Sequence, residues 1–170
     1  MRKGEKLIAY KFEKMDDRHC TAVIDIFNYY ITESFAAYPQ ESVGYQFFDR
    51  FLDMTRGYPA VAIKDDTDAV VGFAFLHAYR SGRTFRRAAE ITYFIHPDHT
   101  GKGIGTTVLS RFKLAAKEQG IDTLLANISS RNEGSLRFHR KNGFEECGRF
   151  RRIGKKFGEG FDVVWMQLEL

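Results

Sequence analysis

Three glycines, Gly101, Gly103 and Gly105, alternate between an apolar, β-branched and aromatic run ending at His96 and a segment with apolar residues at helical spacing. The run stops at Pro97, a residue that a central strand cannot carry. Beyond the glycines, Val108, Leu109, Phe112, Leu114, Ala115 and Ala116 show the i, i+3, i+4 pattern of one apolar helix face. Glycine lets the backbone fold tightly and lets another group come close. The free N–H groups of a helix start, bare of side chains, make an anion site. A P-loop is excluded, because counting back from Gly101-Lys102 puts His96 at its first glycine and Gly103 at its hydroxyl. A dinucleotide fingerprint fits poorly, because these glycines are spaced by two and stand some ninety residues into the chain. The competing reading is a glycine-rich turn that only starts a helix.

The second candidate for chemistry is Glu90, the only carboxylate in the strand Ala88 to Ile95. Alternation places it on the face of Thr92 and Phe94. A carboxylate in apolar surroundings has its pKa raised towards the range useful to a base. A strand-end Glu paired with Arg86 or Arg87 is the structural alternative. The tetrapeptide His96-Pro97-Asp98-His99 suggests a metal, but its proline puts it in a turn and no Cys or carboxylate cluster completes a four-ligand shell. No metal is expected.

The elements that must position these residues can be read in order. Lys6 to Phe12 reads as a strand. Asp16 and Asp17 cap a helix whose buried face carries Val23, Ile24, Phe27 and Ile31. A loop, Ser34 to Glu41, leads to a second helix from Val43 to about Thr55, closed by Gly57. Pro59 starts a strand through Ile63, and Asp65 to Asp68 turns the chain into Val70 to Tyr79. A polar loop, Ser81 to Arg87, precedes the strand Ala88 to His96. The glycine turn, its helix to Gln119, a strand at Thr123 to Ile128 and a short helix from Asn132 to Asn142 follow. Phe144 to Arg152 and Phe161 to Leu170 finish as a strand pair around a loop, Gly154 to Gly160. This order is α+β with a mixed sheet, not a doubly wound parallel one.

The 170 residues read as one domain, 1–170, large enough to bury a core. With 44% hydrophobic and 28% charged residues the chain is not of disordered composition. No apolar run approaches the ~20 residues that span a bilayer, so no membrane association is expected. Cys20 and Cys147 are isolated and read as reduced thiols of a cytoplasmic protein. Between Arg131 and Lys156 nine basic residues face three acidic ones. Solvated faces explain such a stretch more simply than nucleic-acid binding.

On these residues the chain resembles the GCN5-related N-acetyltransferases (GNAT), and within them the phosphinothricin and L-amino-acid N-acetyltransferase branch. The resemblance spans essentially the whole chain. It rests on the run His96 to Gly105 and on Asn132-Glu133-Gly134-Ser135-Leu136-Arg137-Phe138-His139-Arg140-Lys141-Asn142-Gly143-Phe144. Branch-level features are Phe27 to Ile31, Ser34-Phe35, the spacing of Arg80, Arg86 and Glu90, His139, and the ending Gly158 to Trp165. One position departs: Thr100 stands where the family carries Gln or Arg. The resemblance implies a mostly antiparallel, mixed seven-stranded sheet flanked by about four helices, and a homodimer. It also implies acetyl-CoA as cosubstrate, its pyrophosphate on the main chain of Gly101, Lys102, Gly103, Ile104, Gly105 and Thr106. Tyr93, Phe94 and Ile95 would pair with the pantetheine arm across a gap to Thr123–Ile128, and Asn132 and Lys141 would add contacts.

Acyl transfer from a thioester to an amine needs a proton acceptor for the amine, an aligned thioester, donors for the developing oxyanion and a proton for the leaving thiolate. The resemblance casts Glu90 as the base and His139 as the acid; a partly buried helix histidine, and for Asn132 a plain helix cap, are the alternatives. Arg80 and Arg86 beside the base suit an α-carboxylate, with Phe35 or Tyr30 enclosing the side chain. The expected function is therefore acetyl-CoA-dependent N-acetylation of a small amino acid or analogue. A protein N-terminus, a lysine or another amine is the alternative substrate. A non-catalytic coenzyme A-binding module is the alternative class, and the chain lacks the aromatic-interleaved basic surface of an RNA-binding domain.

Overall fold

The computed structural model describes residues 9–170. Seven strands form one sheet: β1 (Lys11–Lys14), β2 (Ala60–Lys64), β3 (Val70–Ala78), β4 (Ala88–Ile95), β5 (Thr123–Ser129), β6 (Glu145–Lys156) and β7 (Glu159–Glu169). Their order is β1-β2-β3-β4-β5-β7-β6. All neighbours are antiparallel except β4 and β5, which the helix between them joins in parallel. The helices are α1 (Cys20–Glu33), α2 (Phe48–Met54), α3 (Ile104–Glu118) and α4 (Glu133–Lys141). The α+β class, the seven strands and the four helices agree with the expectation.

Strand alternation divides the core between the two sheet faces. On β3, Phe73 and Phe75 pack with Ile24, Phe27 and Ile31 of α1 and Phe48 and Phe51 of α2. Ala74 and Leu76 point the other way, against Val108, Leu109 and Phe112 of α3. These side chains are essentially inaccessible, each stabilising the fold by about 1.5–3 kcal/mol for a large apolar group.

Four boundaries differ from the sequence reading. Lys6, Leu7 and Ile8 lie outside the described residues, and the described first strand runs Lys11–Lys14, set by the pairing of Phe12 with Ile63. Asp16 caps a 3₁₀ turn at Asp17–His19 in a reciprocal capping box with His19, and α1 starts only after it. The second helix is shorter than expected: extended Gly44 precedes a 3₁₀ turn, Tyr45–Phe47, and α2 then covers two turns. The last two strands continue through the expected loop and close on Phe157-Gly158, both at positive φ (52° and 77°), the geometry of a tight hairpin turn. Gly154 of β6 pairs with Phe161 of β7, and it is glycine because a Cβ there would lie 2.1 Å from the Phe161 ring.

Candidate active site

The sheet opens at one place. β4 and β5 pair only through Ala88↔Thr123, Ala89↔Leu124 and Glu90↔Leu125, although both strands run on. Beyond Glu90 they diverge. His96 N–H bonds to the Val71 carbonyl, so even-numbered β4 residues turn their main chain to β3 and odd-numbered ones to the β5 side. Ile91, Tyr93 and Ile95 therefore direct main-chain groups into the gap. The Ile95 carbonyl is already taken by the Tyr30 hydroxyl at 2.5 Å. Phe94 differs from its two neighbours: its main chain belongs to the β3 ladder, and its ring packs against Phe27, Tyr30 and Phe73.

Glu90 stands where the ladder ends. Its side chain is 14% exposed and accepts a hydrogen bond at Oε2 from Asn127 Nδ2 of β5, at 3.0 Å. Burial pushes its pKa up, and the Asn127 bond works against that rise. Neither Arg86 nor Arg87 pairs with it; Arg87 binds Asp122. Glu90 also lines a cleft of about 530 Å³ with Tyr79, Arg80, Cys147, Gly148, Arg149, Phe150 and Trp165. Tyr38 lies close enough for the negative charge of Glu90 to add to burial in holding its hydroxyl pKa at about 12.

At the far end of β4, Pro97–His99 forms a 3₁₀ turn and Thr100 Oγ1 closes it by donating to the Pro97 carbonyl at 2.8 Å. Gly101 and Gly103 are both left-handed (φ 73° and 81°), and nothing lies within 4 Å of a Cβ at either. Gly103 is the N-cap of α3, whose first turn carries no acidic residue and no side-chain cap. The N–H groups of Ile104, Gly105 and Thr106 have no helical acceptor, whereas Thr107 bonds to the Gly103 carbonyl. Gly105 has a further reason to be glycine: a Cβ there would meet the Phe138 ring at 3.1 Å, so it sets the approach of α4 to α3. Lys102 is exposed beside the turn, and Lys141 is exposed at the end of α4.

His139 is buried, at 2% exposure, and both ring nitrogens are engaged. Nδ1 donates to the Ser135 carbonyl at 2.7 Å, which leaves Nε2 to accept the Tyr93 hydroxyl in a short contact. Burial lowers its pKa to about 4, so the ring is neutral at neutral pH. The proton of this pair sits on Tyr93. Asn132 Oδ1 caps α4 by accepting from Ser135 N–H at 3.2 Å.

Of the residues read as substrate-facing, Arg80 lines the cleft beside Glu90. Arg86 is exposed at the end of the 3₁₀ turn Arg83–Phe85 and is not among the cleft residues. Phe35 packs edge-on to Phe157 and Phe161 at the tip of the β6–β7 hairpin, where Tyr38 stacks on Phe161. The buried Lys156 holds this loop down, donating through Nζ to the carbonyls of Ser34 (2.8 Å) and Ala37 (2.6 Å). Among the described residues no group of three or more His, Cys, Asp or Glu gathers as for a metal ion, and no helix is long and apolar enough to cross a membrane. The sequence reading missed His77, Asn127, Tyr79 and Trp165. Each reaches Glu90 or the cleft only through strand register.

A model of the Acetyltransferase (GNAT) family matches residues 5–144, and the chain belongs to that family. It is 32% identical over 153 residues to the L-amino acid N-acyltransferase MnaT of Escherichia coli, covering 89% of this chain and 88% of that protein. It is 31% identical over 157 residues to the L-methionine sulfoximine/L-methionine sulfone acetyltransferase of Salmonella typhimurium, covering 91% of each. Its fold superposes with a TM-score of 0.88 on a GNAT superfamily phosphinothricin acetyltransferase from Sinorhizobium meliloti in complex with AcCoA. That structure is 27% identical, with 95% of this chain and 88% of the other covered.

Proposed function

We propose that this enzyme transfers an acetyl group from acetyl-CoA to the amine of a small amino acid or analogue of the phosphinothricin and methionine sulfone type, with Glu90 accepting the amine proton. The observation that carries the reading is the place of Glu90, at the end of the β4–β5 ladder, shared by the cleft and the gap. Acetyl-CoA supplies the activated thioester. The chain's features suit such a ligand: gap-facing main-chain groups of Tyr93 and the N–H of Ile95 for an amide-bearing arm, and first-turn N–H groups of α3 with open space at Gly101 and Gly103 for a pyrophosphate. Glu90, largely withdrawn from water, is a stronger base than a surface carboxylate. Arg80 sits in the same cleft to hold a carboxylate while the amine meets Glu90. His139, neutral and bonded to the Ser135 carbonyl, holds the Tyr93 hydroxyl in place instead of giving up a proton itself, and the leaving thiolate takes its proton from solvent.

The test is to screen amines with acetyl-CoA while following free thiol. Release with α-amino acids, and a product heavier by one acetyl group, supports the reading. Release only with peptide N-termini or lysine side chains would transfer the function to protein acetylation. No release with any amine would leave a coenzyme A-binding module.

A further inference from the structure

His77 has no part in the scheme above, yet it lies directly across from Glu90 in the β3–β4 register. Cross-strand partners share a sheet face, and its Nε2 stands 3.8 Å from Glu90 Oε2. Its Nδ1 is 3.0 Å from the Ala78 carbonyl. A carbonyl only accepts, so Nδ1 carries the hydrogen and Nε2 turns a lone pair towards the carboxylate. Both side chains are largely withdrawn from water, at 15% and 14% exposure. Two acceptors face each other at a distance too long for a hydrogen bond, and a proton placed between them converts that repulsion into a bond. Burial lowers the His77 pKa and raises that of Glu90, drawing the two affinities together. The other groups around the pair are the Phe75 ring beside His77, uncharged Asn127 on Oε2, Tyr38, and Arg80 in the cleft.

We propose that Glu90 and His77 act as one proton-sharing pair, in which the proton removed from the amine is held between Glu90 Oε2 and His77 Nε2. The proposal rests on Glu90 being the base. In the first transfer an N–H bond of the attacking amine breaks and a carboxyl O–H forms. In the second the O–H breaks and Nε2–H forms, leaving a carboxylate beside an imidazolium, which loses its proton to solvent. Asn127, bonded to the same oxygen, keeps the carboxyl turned towards His77.

Two measurements on the full-length chain test the pair. In a ¹⁵N-imidazole NMR titration, neutral His77 should show the Nδ1–H tautomer, and Glu90→Gln should lower its midpoint by about one pH unit by removing the anion. An unchanged midpoint, or an Nε2–H tautomer, overturns the pair. In a pH profile, His77→Gln, whose amide can donate to Oε2 and so favours the carboxylate, should move the acid limb of kcat/KM down by about half a unit to one unit. It should also lower kcat at neutral pH about tenfold and leave KM for acetyl-CoA unchanged. Superimposable wild-type and His77→Gln profiles overturn the proton-sharing role. Failure of the base reading is distinguishable: Glu90→Gln would then turn over like wild type, whatever the NMR midpoint does.

Discussion

Replacing Arg80 by alanine should abolish most of the preference for an amino acid over its amide. Arg80 lines the cleft with Glu90, and its guanidinium, 5.7 Å from the Tyr79 ring centre, has no carboxylate partner among the described residues. Arg149 in the same cleft is already tied to Glu146 and Asp162. A charge-assisted hydrogen bond contributes about 1.5–3 kcal/mol, and Arg80 is exposed, so solvent screening favours the lower end. About 1.4 kcal/mol is a tenfold change. Wild-type enzyme should therefore acetylate an amino acid about tenfold or more better, in kcat/KM, than its amide or decarboxylated amine. Arg80→Ala should bring the three within about twofold of one another by raising KM for the acid alone. Arg86→Ala should leave that ratio within about twofold of wild type, because Arg86 is not among the cleft residues. Thiol-release kinetics with the three amines measure all of this. An acid-to-amide ratio unchanged by Arg80→Ala would refute the clamp.

Gly103→Val, in the left-handed region with open space around it, should cost the fold only about 1–2 kcal/mol while weakening acetyl-CoA binding in calorimetry; a folded variant with unchanged affinity would show that the ligand passes elsewhere. Lys156→Met leaves the Ser34 and Ala37 carbonyls without their ammonium and should lower stability by about 2 kcal/mol or more in urea unfolding. Tyr93→Phe strips the buried His139 Nε2 of its donor and should destabilise by about 1–3 kcal/mol.

The glycine turn, the strand before it and the helix after it were legible because each rests on local chemistry: a proline that ends a strand, glycines free to turn left-handed, and apolar residues at helical spacing. The hairpin tip was not, because Phe157 adopts a positive φ that its residue type does not announce, and the clustered glycines nearby serve packing as well as turning. Glu90 could be singled out as the lone carboxylate of its strand, but its neighbours could not. His77 and Asn127 meet it only once the β3–β4 register and the short β4–β5 ladder are set. Burial of His139 behind Tyr93 is likewise a tertiary fact, and it turns a ring read as a proton donor into an acceptor.

The central claim is that Glu90, at the mouth of the opened sheet, takes the proton of the attacking amine. Its pKa, raised by burial, means that the base is lost as pH falls through a value above the ordinary carboxylate 4.5. The direct test is the pH dependence of kcat/KM for Glu90→Gln beside wild type, with acetyl-CoA affinity measured in parallel. A loss of about 10²–10⁴-fold at neutral pH, shrinking as rising pH frees the amine, with acetyl-CoA affinity unchanged, is the predicted result. Wild-type rates at neutral pH in the folded variant would contradict it.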